Sequence, residues 1–263
     1  MCFRPPNLLA LDFDGVICDG LLEYFATTKQ TYQQIWSNDR LIDDNLASSF
    51  YQLRPVIETG WEMPILLRAL VLGVSATEIL NDWSAIASKI IIQESLDKKN
   101  LARKLDGVRD NWINNNLEEW LGLHRFYPGV IDRLKKLLNS PTELYIVTTK
   151  EGRFVRQLLQ QQGIELAPEK IIGKESQRPK YETLRLLRDK ISGNNISIWF
   201  VEDRVKALQQ VRQQSDLALV NLFLADWGYN IERDRLLAEG DRHIQLLSLS
   251  QFTQDFLHWQ VIH

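Results

Sequence analysis

Two aspartates that directly follow a short apolar run constrain this chain more than any other feature. The run is Leu8 to Leu11, the acids are Asp12 and Asp14, and Gly15 then lets the chain leave strand geometry. Because side chains alternate along a strand, both carboxylates point to the same side. Like charges this close repel each other, so the pair indicates a cation site with hard oxygen ligands. One carboxylate could also attack phosphorus. An acidic turn after a strand has the same pattern, so the motif alone leaves a structural role open.

The composition excludes several classes of protein. The 263 residues, 44% hydrophobic and 25% charged, suit one large globular domain or a core with a substantial insertion. A net charge of -3 with scattered basic residues argues against nucleic acid or an anionic membrane surface as a partner. Two cysteines, Cys2 and Cys18, give no basis for a disulfide framework. The start lacks the pattern of a signal peptide and no apolar run is long enough for a bilayer, so we expect a cytoplasmic protein.

A long helical segment follows the first predicted strand. Apolar residues recur at helical spacing between Leu21 and Leu121. Ser75 and Glu78 form a capping-box pattern, which predicts a helix start. The segment contains no convincing strand. We therefore expect a helical domain over residues 20–125, inserted into a core domain that consists of residues 1–19 and 126–263.

Strands and helices alternate in the rest of the chain, after Tyr127-Pro128-Gly129. Apolar runs predict strands at Leu144 to Val147, Lys170 to Ile172, Ile196 to Val201, Leu217 to Leu224 and His243 to Leu247. Helical patterns separate these runs. Near-continuous apolar strands joined by helices favour a parallel sheet covered on both faces, and the strand at Leu8 belongs to the same sheet. The predicted fold is α/β with a Rossmann-like core, in which ligands bind at the carboxyl ends of the strands.

Polar residues stand at those predicted strand ends. In chain order they are Asp12 and Asp14, Thr148, Thr149 and Lys150, Lys174 and Lys180, and Glu202 and Asp203. Each of them alone could cap a helix or lie on a solvated surface. Their occurrence at the ends of successive strands favours one shared site, where a hydroxyl group and a cation meet several acids.

The motifs resemble those of the haloacid dehalogenase-like (HAD) hydrolase superfamily. The first motif of that family is matched by L-D-F-D-G-V-I from residue 11, the second by Y-I-V-T-T-K from residue 145, and the fourth by W-F-V-E-D-R from residue 199. The insertion has the place of a type 1 helical cap, and A-D-W-G-Y from residue 225 resembles a turn of the phosphoglycolate phosphatase-like branch. The third motif supplies a lysine. Arg178-Pro179-Lys180 departs from its usual K-P-x-P form, which makes Lys180 the better candidate and Lys174 the second.

The resemblance implies a Mg²⁺-dependent phosphatase that acts on a small phosphorylated metabolite. Asp12 would form an aspartyl-phosphate, and Asp14 would act as general acid and then general base. Mg²⁺ would be held by Asp12, the backbone carbonyl of Asp14, and Asp203, with Glu202 in support. Thr148 and the lysine would bind the phosphoryl oxygens that are not transferred.

Two further residues are expected to contact substrate, and two other functions stay open. Thr149 follows the second motif, and Arg54 opens the least helix-like stretch of the predicted cap, which runs to Glu62. The cap would close over the site and exclude water. A sugar phosphomutase on the same core and a non-catalytic binding protein are the alternatives, whereas Asp14 argues against a dehalogenase. The sequence leaves the identity of the substrate and the oligomeric state open.

Overall fold

The computed structural model describes residues 4–37, 42–190 and 197–259, which form two compact units. The first unit is Met1–Asp19 with Arg125–His263, and the second is Gly20–His124. The strands are β1 Leu8–Leu11, β2 Cys18–Asp19, β3 Arg125–Phe126, β4 Glu143–Val147, β5 Ile171–Ile172, β6 Ile198–Glu202, β7 Val220–Ala225 and β8 Ile244–Leu247. The α-helices are α1 Leu21–Ile35, α2 Ala47–Leu53, α3 Glu62–Val71, α4 Ala76–Gln93, α5 Lys98–Asn115, α6 Leu117–Leu121, α7 Val130–Leu138, α8 Gly152–Gln161, α9 Lys180–Lys190, α10 Val205–Arg212, α11 Glu232–Glu239 and α12 Leu249–Phe252.

A parallel sheet forms the centre of the first unit. Its strand order over the described residues is β5-β4-β1-β6-β7-β8, and each neighbouring pair is parallel. All four residues of β1 are buried, because helices and loops cover both faces of the sheet. Strand β1 lies between β4 and β6, so the carboxyl ends of these three strands meet at one edge. The predicted α/β fold with a Rossmann-like core is confirmed.

Several element boundaries differ from the sequence-based prediction. Lys170 closes a 3-10 turn that begins at Pro168, and Leu217 closes another turn, so neither residue lies in a strand. Proline favours such a turn because its backbone φ angle is fixed and it has no N–H to donate. Strand β6 extends one residue further than predicted, to Glu202. The predicted strand residue Ile196 lies outside the described residues.

The pair of strands β2 and β3 was not predicted. These two strands of two residues each pair antiparallel, with Cys18 opposite Phe126 and Asp19 opposite Arg125. Such short segments show no alternation that a sequence pattern could reveal. They lie at the two points where the chain leaves the first unit and returns to it.

Helices are the regular secondary structure of the second unit over its described residues, which run from Gly20 to Ser37 and from Ile42 to His124. Helix α1 packs against α3 and α5. The predicted capping box is confirmed: the Ser75 side chain accepts a hydrogen bond from the Glu78 backbone, and the Glu78 side chain accepts one from the Ser75 backbone. Near its end the helical pattern that runs to Leu121 is divided into two helices, because Asn116 ends α5 and its side chain caps α6. No helix in the described part of the chain is long and apolar enough to cross a lipid bilayer.

A buried carboxylate organises the interior of the helical unit. Glu23 on α1 is fully buried, and its carboxylate accepts hydrogen bonds from Thr27 Oγ1 at 2.7 Å, Arg109 Nε at 2.7 Å and Trp120 Nε1 at 3.1 Å. Arg109 belongs to α5 and Trp120 to α6. One acid on α1 therefore connects three helices, and its negative charge is balanced by the guanidinium group of Arg109.

We expect Glu23→Ala to lower the free energy of unfolding by about 3 kcal/mol or more, because the Arg109 guanidinium loses its buried partner. Glu118→Ala is the matched control, since Glu118 is an exposed glutamate of the same unit, and it should change that free energy by less than about 0.5 kcal/mol. Urea denaturation of both variants measures the difference. Similar losses in the two variants would show that the Glu23 network does not stabilise the unit.

Candidate active site

The carboxyl ends of three adjacent strands bring the predicted acids together. Asp12 follows β1, and its backbone N–H continues the ladder to Val201 of β6 at 2.9 Å. Glu202 is the last residue of β6 and Asp203 comes next. Carboxylate oxygens of Asp12, Glu202 and Asp203 lie within 4.8 Å of one another. All three residues are buried, with exposed fractions of 6%, 1% and 1%.

Lys180 is the cation that contacts this cluster. It opens α9, directly after Pro179, and its Nζ lies 2.9 Å from Asp12 Oδ2 and 2.6 Å from Glu202 Oε2. Lys174 lies in an exposed 3-10 turn that ends at Ser176. The geometry therefore supports Lys180 over Lys174 as the lysine of the third motif.

Burial and mutual repulsion make the acids of the cluster hard to ionise. Burial, together with the charge of Glu202, raises the pKa of Asp12 to about 7. Burial also raises the pKa of Glu202 to about 7, although the Lys180 ammonium opposes this shift. The pKa of Asp203 is raised by burial and by the charge of Asp12. Burial by itself lowers the pKa of Lys180, but the charges of Asp12 and Glu202 outweigh that effect and raise it. Oxygen donors in this arrangement suit a small divalent cation, which would supply the missing positive charge.

Asp14 has a different cation partner from that of Asp12. Lys150 Nζ donates to Asp14 Oδ1 at 3.3 Å and to Oδ2 at 3.4 Å. The side chains of Lys150 and Asp14 are 9% and 17% exposed. The two aspartates of the first motif are thus divided between two lysines, Lys180 at Asp12 and Lys150 at Asp14.

The end of β4 supplies the predicted hydroxyl groups. Thr148 is buried, and its backbone N–H donates to Ile172 O at 3.0 Å, which fixes the residue to the edge of β5. Its Oγ1 accepts the backbone N–H of Lys150 at 3.1 Å, so its hydroxyl hydrogen can still be directed toward a ligand. Thr149 is exposed in the same turn. Both residues lie at the same sheet edge as Asp12.

Two glycines and one backbone amide hold Asp203 in place. Gly15 has φ +88°, and a Cβ on it would lie 2.2 Å from Asp203 Oδ2. A Cβ on Gly228 would lie 2.3 Å from Asp203 Cβ. The backbone N–H of Tyr229 donates to Asp203 Oδ2 at 2.7 Å. Any other residue at either glycine would displace the acid, so the turn at 225–229 supports the acidic cluster.

The sequence placed Lys150 at the shared strand ends without a specific role, and it gave Gly228 and Tyr229 no role. A signal for Lys150 was present, because it is the third polar residue at the end of β4, where it shares an edge with the two aspartates. For Gly228 and Tyr229 the signal was only the resemblance of their turn to a family pattern. Their contacts with Asp203 depend on the register of β6 and β7, which is a property of the folded sheet.

Arg54 lies in the helical unit, where it opens a 3-10 turn that ends at Val56. Its guanidinium group stacks over the Tyr24 ring, 4.8 Å from the ring centre, and Nη1 donates to Ile57 O at 3.0 Å. Glu62 stabilises the loop that follows, because its carboxylate accepts hydrogen bonds from the backbone N–H groups of Glu58 and Thr59. These contacts account for the shape of the stretch, and a role of Arg54 in substrate binding stays a prediction.

The raised pKa values predict how the ion-free protein responds to pH. Since the folded protein holds protons on Asp12 and Glu202 that the unfolded chain releases above its ordinary carboxyl pKa, the free energy of unfolding should fall as pH rises from about 4 to about 7. Asp12→Asn removes one of these titrations. As pH rises over that range, we expect the free energy of unfolding of this variant to increase by a few kcal/mol relative to that of wild type, at about 1.4 kcal/mol per pKa unit.

Urea denaturation in a chelating buffer at several pH values measures this gain. Asp110→Asn is the control for the loss of one carboxylate, since Asp110 is exposed on α5 and lies outside the buried cluster. A wild-type protein that gains stability relative to Asp12→Asn as pH rises would contradict the account of the cluster.

Solved structures with the same fold include proteins with different names. A predicted phosphatase from Clostridium acetobutylicum superposes with a TM-score of 0.59 over 97% of this chain and 99% of its own, at 14% identity. A predicted phosphoglycolate phosphatase from Haemophilus somnus gives 0.55 over 88% and 90%, at 16% identity. The protein tyrosine kinase A of Mycobacterium tuberculosis gives 0.51 over 88% of each chain, at 15% identity. At these identities the likeness concerns the fold.

Sequence comparison identifies the family. No curated protein matches the chain in sequence. The family model of the haloacid dehalogenase-like hydrolases, however, matches residues 66–213, which is more than half of the chain and includes the second, third and fourth motifs. Asp12 and Asp14 precede this region, and the structure brings them to the same sheet edge as the matched motifs. The chain is therefore a hydrolase that belongs to the haloacid dehalogenase-like family.

Proposed function

We propose that this hydrolase is a Mg²⁺-dependent phosphatase that acts on a small phosphorylated metabolite through an aspartyl-phosphate on Asp12. The observation that carries the proposal is the contact of Lys180 Nζ with Asp12 Oδ2 at 2.9 Å, beside Glu202 and Asp203. A carboxylate next to a fixed cation and a cluster of acids can accept a phosphoryl group, because the cation balances the charge of the incoming oxygens. The names of two proteins with the same fold, a predicted phosphatase and a predicted phosphoglycolate phosphatase, support this function.

The acidic cluster would hold the metal. Carboxylates of Asp12 and Asp203 and the backbone carbonyl of Asp14 would be the protein ligands, with Glu202 in support. The fit rests on the donor set: Lys180 contacts two of three clustered buried carboxylates, and oxygen donors are those that Mg²⁺ prefers. When bound, the ion supplies positive charge that neutralises the acids and orients the phosphate.

The protein residues would divide the chemistry among them. Asp12 attacks phosphorus while Asp14 gives a proton to the leaving oxygen, and Asp14 then takes a proton from the water that hydrolyses the intermediate. Lys180 and Thr148 bind the phosphoryl oxygens that stay in place, and Lys180 stabilises their charge in the transition state. Thr149 and Arg54 would contact the rest of the substrate.

A sugar phosphomutase is the second candidate, because it would use the same nucleophile and the same acid. It would return the phosphoryl group to another hydroxyl of the sugar instead of releasing phosphate. Release of inorganic phosphate with no isomeric sugar phosphate supports the phosphatase. A non-catalytic binding protein would release no phosphate, and the retention of Asp12, Asp14, Glu202 and Asp203 at one sheet edge argues against it.

The first test is hydrolysis of a panel of phosphorylated metabolites with Mg²⁺ and with excess chelator. We expect phosphate release only with the metal. Asp12→Asn should reduce kcat by at least about a thousandfold, which corresponds to ~4 kcal/mol of barrier, because the amide is a poor nucleophile of nearly the same shape. Full activity in chelator would refute the metal requirement, and a variant that keeps more than about a thousandth of the rate would refute the covalent route.

The second test compares the two lysines of the third motif. Lys180→Ala should reduce kcat/KM by about a hundredfold or more, at ~1.4 kcal/mol per factor of ten, since it leaves Asp12 and the bound phosphate without their cation. Lys174→Ala should cost less than about tenfold, because the side chain is exposed. Steady-state kinetics of both variants measures the ratio. The opposite order would assign the role to Lys174.

A further inference from the structure

The Lys150 side chain has no role in the chemistry described above, although it is nearly buried at the active-site edge. Its Nζ lies 3.3 Å and 3.4 Å from the two oxygens of Asp14. Both side chains are largely removed from solvent, so the pair is less screened than a surface ion pair. Lys150 is also the hydrogen-bond donor that contacts the Asp14 carboxylate within the described residues.

The backbone of Lys150 is fixed from both sides. Its N–H donates to Thr148 Oγ1 at 3.1 Å, and its carbonyl accepts the N–H of Lys174 at 3.0 Å. A Cβ on Gly173 would lie 2.7 Å from the Lys150 carbonyl oxygen, so only a glycine allows this approach. The ammonium group therefore extends from an anchored turn, which is what a residue needs in order to orient another side chain.

We propose that Lys150 is a positioning residue that holds the Asp14 carboxyl group in line with the leaving oxygen of the substrate. The proposal rests on the phosphatase function proposed above and extends it to Lys150, the last residue of the second-motif stretch, to which that function gave no role. A carboxyl group has two oxygens, so Asp14 can accept from Lys150 with one oxygen and carry the transferable proton on the other.

The role follows from the balance of the reaction. As an Asp12 oxygen bonds to phosphorus, the bond from phosphorus to the leaving oxygen breaks, and the leaving oxygen takes the Asp14 proton. Asp14 is then a carboxylate beside the Lys150 ammonium, which orients it toward the attacking water. Water bonds to phosphorus and gives a proton to Asp14, while the bond between phosphorus and Asp12 breaks and returns its electrons to Asp12. Inorganic phosphate leaves, and Asp14 is protonated again.

The dependence on the leaving group distinguishes positioning of Asp14 from other roles of Lys150. Phenyl phosphate and p-nitrophenyl phosphate have similar size, but p-nitrophenolate leaves without protonation. We expect Lys150→Met to reduce kcat/KM for phenyl phosphate by about tenfold or more and for p-nitrophenyl phosphate by less than about threefold, since general acid catalysis contributes about a hundredfold or more where it is needed. Lys150→Arg keeps the cation and should restore most of the phenyl phosphate activity.

Lys174→Met is the matched control, an exposed lysine next to the same turn, and it should affect both substrates equally and weakly. Equal losses on the two substrates in Lys150→Met would overturn the proposal and indicate substrate binding or folding instead.

A crystal structure of Lys150→Met supplies a second measurement that does not depend on turnover. We expect the Asp14 carboxylate to leave the position it has beside Lys150. Wild type that releases phosphate from no compound of the metabolite panel would refute the phosphatase function, whereas the Asp14 conformation in the variant tests its contact with Lys150 separately. An unchanged Asp14 conformation in the variant would overturn the proposal whatever the kinetics show.

Discussion

The concentration of buried negative charge at the end of β1 is the constraint on which the rest of this site depends. Asp12, Glu202 and Asp203 lie within 4.8 Å of one another and are almost fully removed from water. Burial and repulsion oppose their ionisation, and Lys180 compensates only part of that charge. A phosphate monoester adds more negative charge to the same place. The donor set suits a divalent cation, which would supply the positive charge that the proposed phosphatase needs there.

The surrounding structure holds these charges together. Strand β1 lies between β4 and β6, so the loops that follow these three strands begin at the same edge of the sheet. Gly15 and Gly228 let two of the turns approach Asp203 more closely than any Cβ would allow, and Tyr229 donates a backbone hydrogen bond to it. On the other side, Lys150 extends from the turn after β4 to Asp14. Each acid is thus oriented by a neighbour on a different element, and a parallel sheet offers such convergence at its carboxyl edge.

Much of this arrangement could be predicted from the sequence, because the strands and the polar residues at their ends are visible as local sequence patterns. Apolar runs indicated the central strands, and polar residues at their ends indicated Asp12, Thr148 and Asp203, because parallel strands share one carboxyl edge. The sequence favoured Lys180 over Lys174, although both follow the same short strand, and the contacts that separate them depend on where α9 begins. The pairing of Lys150 with Asp14 joins residues 136 positions apart and depends on the folded sheet. The two-residue strands β2 and β3 were too short for any periodic signal.

The central claim is that Asp12 carries the phosphoryl group, and trapping that intermediate tests it most directly. An acyl phosphate reacts with borohydride, which converts the aspartate to homoserine, whereas an ionised aspartate does not react. Protein mixed with Mg²⁺ and p-nitrophenyl phosphate, quenched in acid and reduced should contain homoserine at Asp12 when its peptides are analysed by mass spectrometry. Protein treated in the same way without the phosphate ester should not. Homoserine at Asp14 or at another acid, or turnover with no reduced residue at all, would contradict the account.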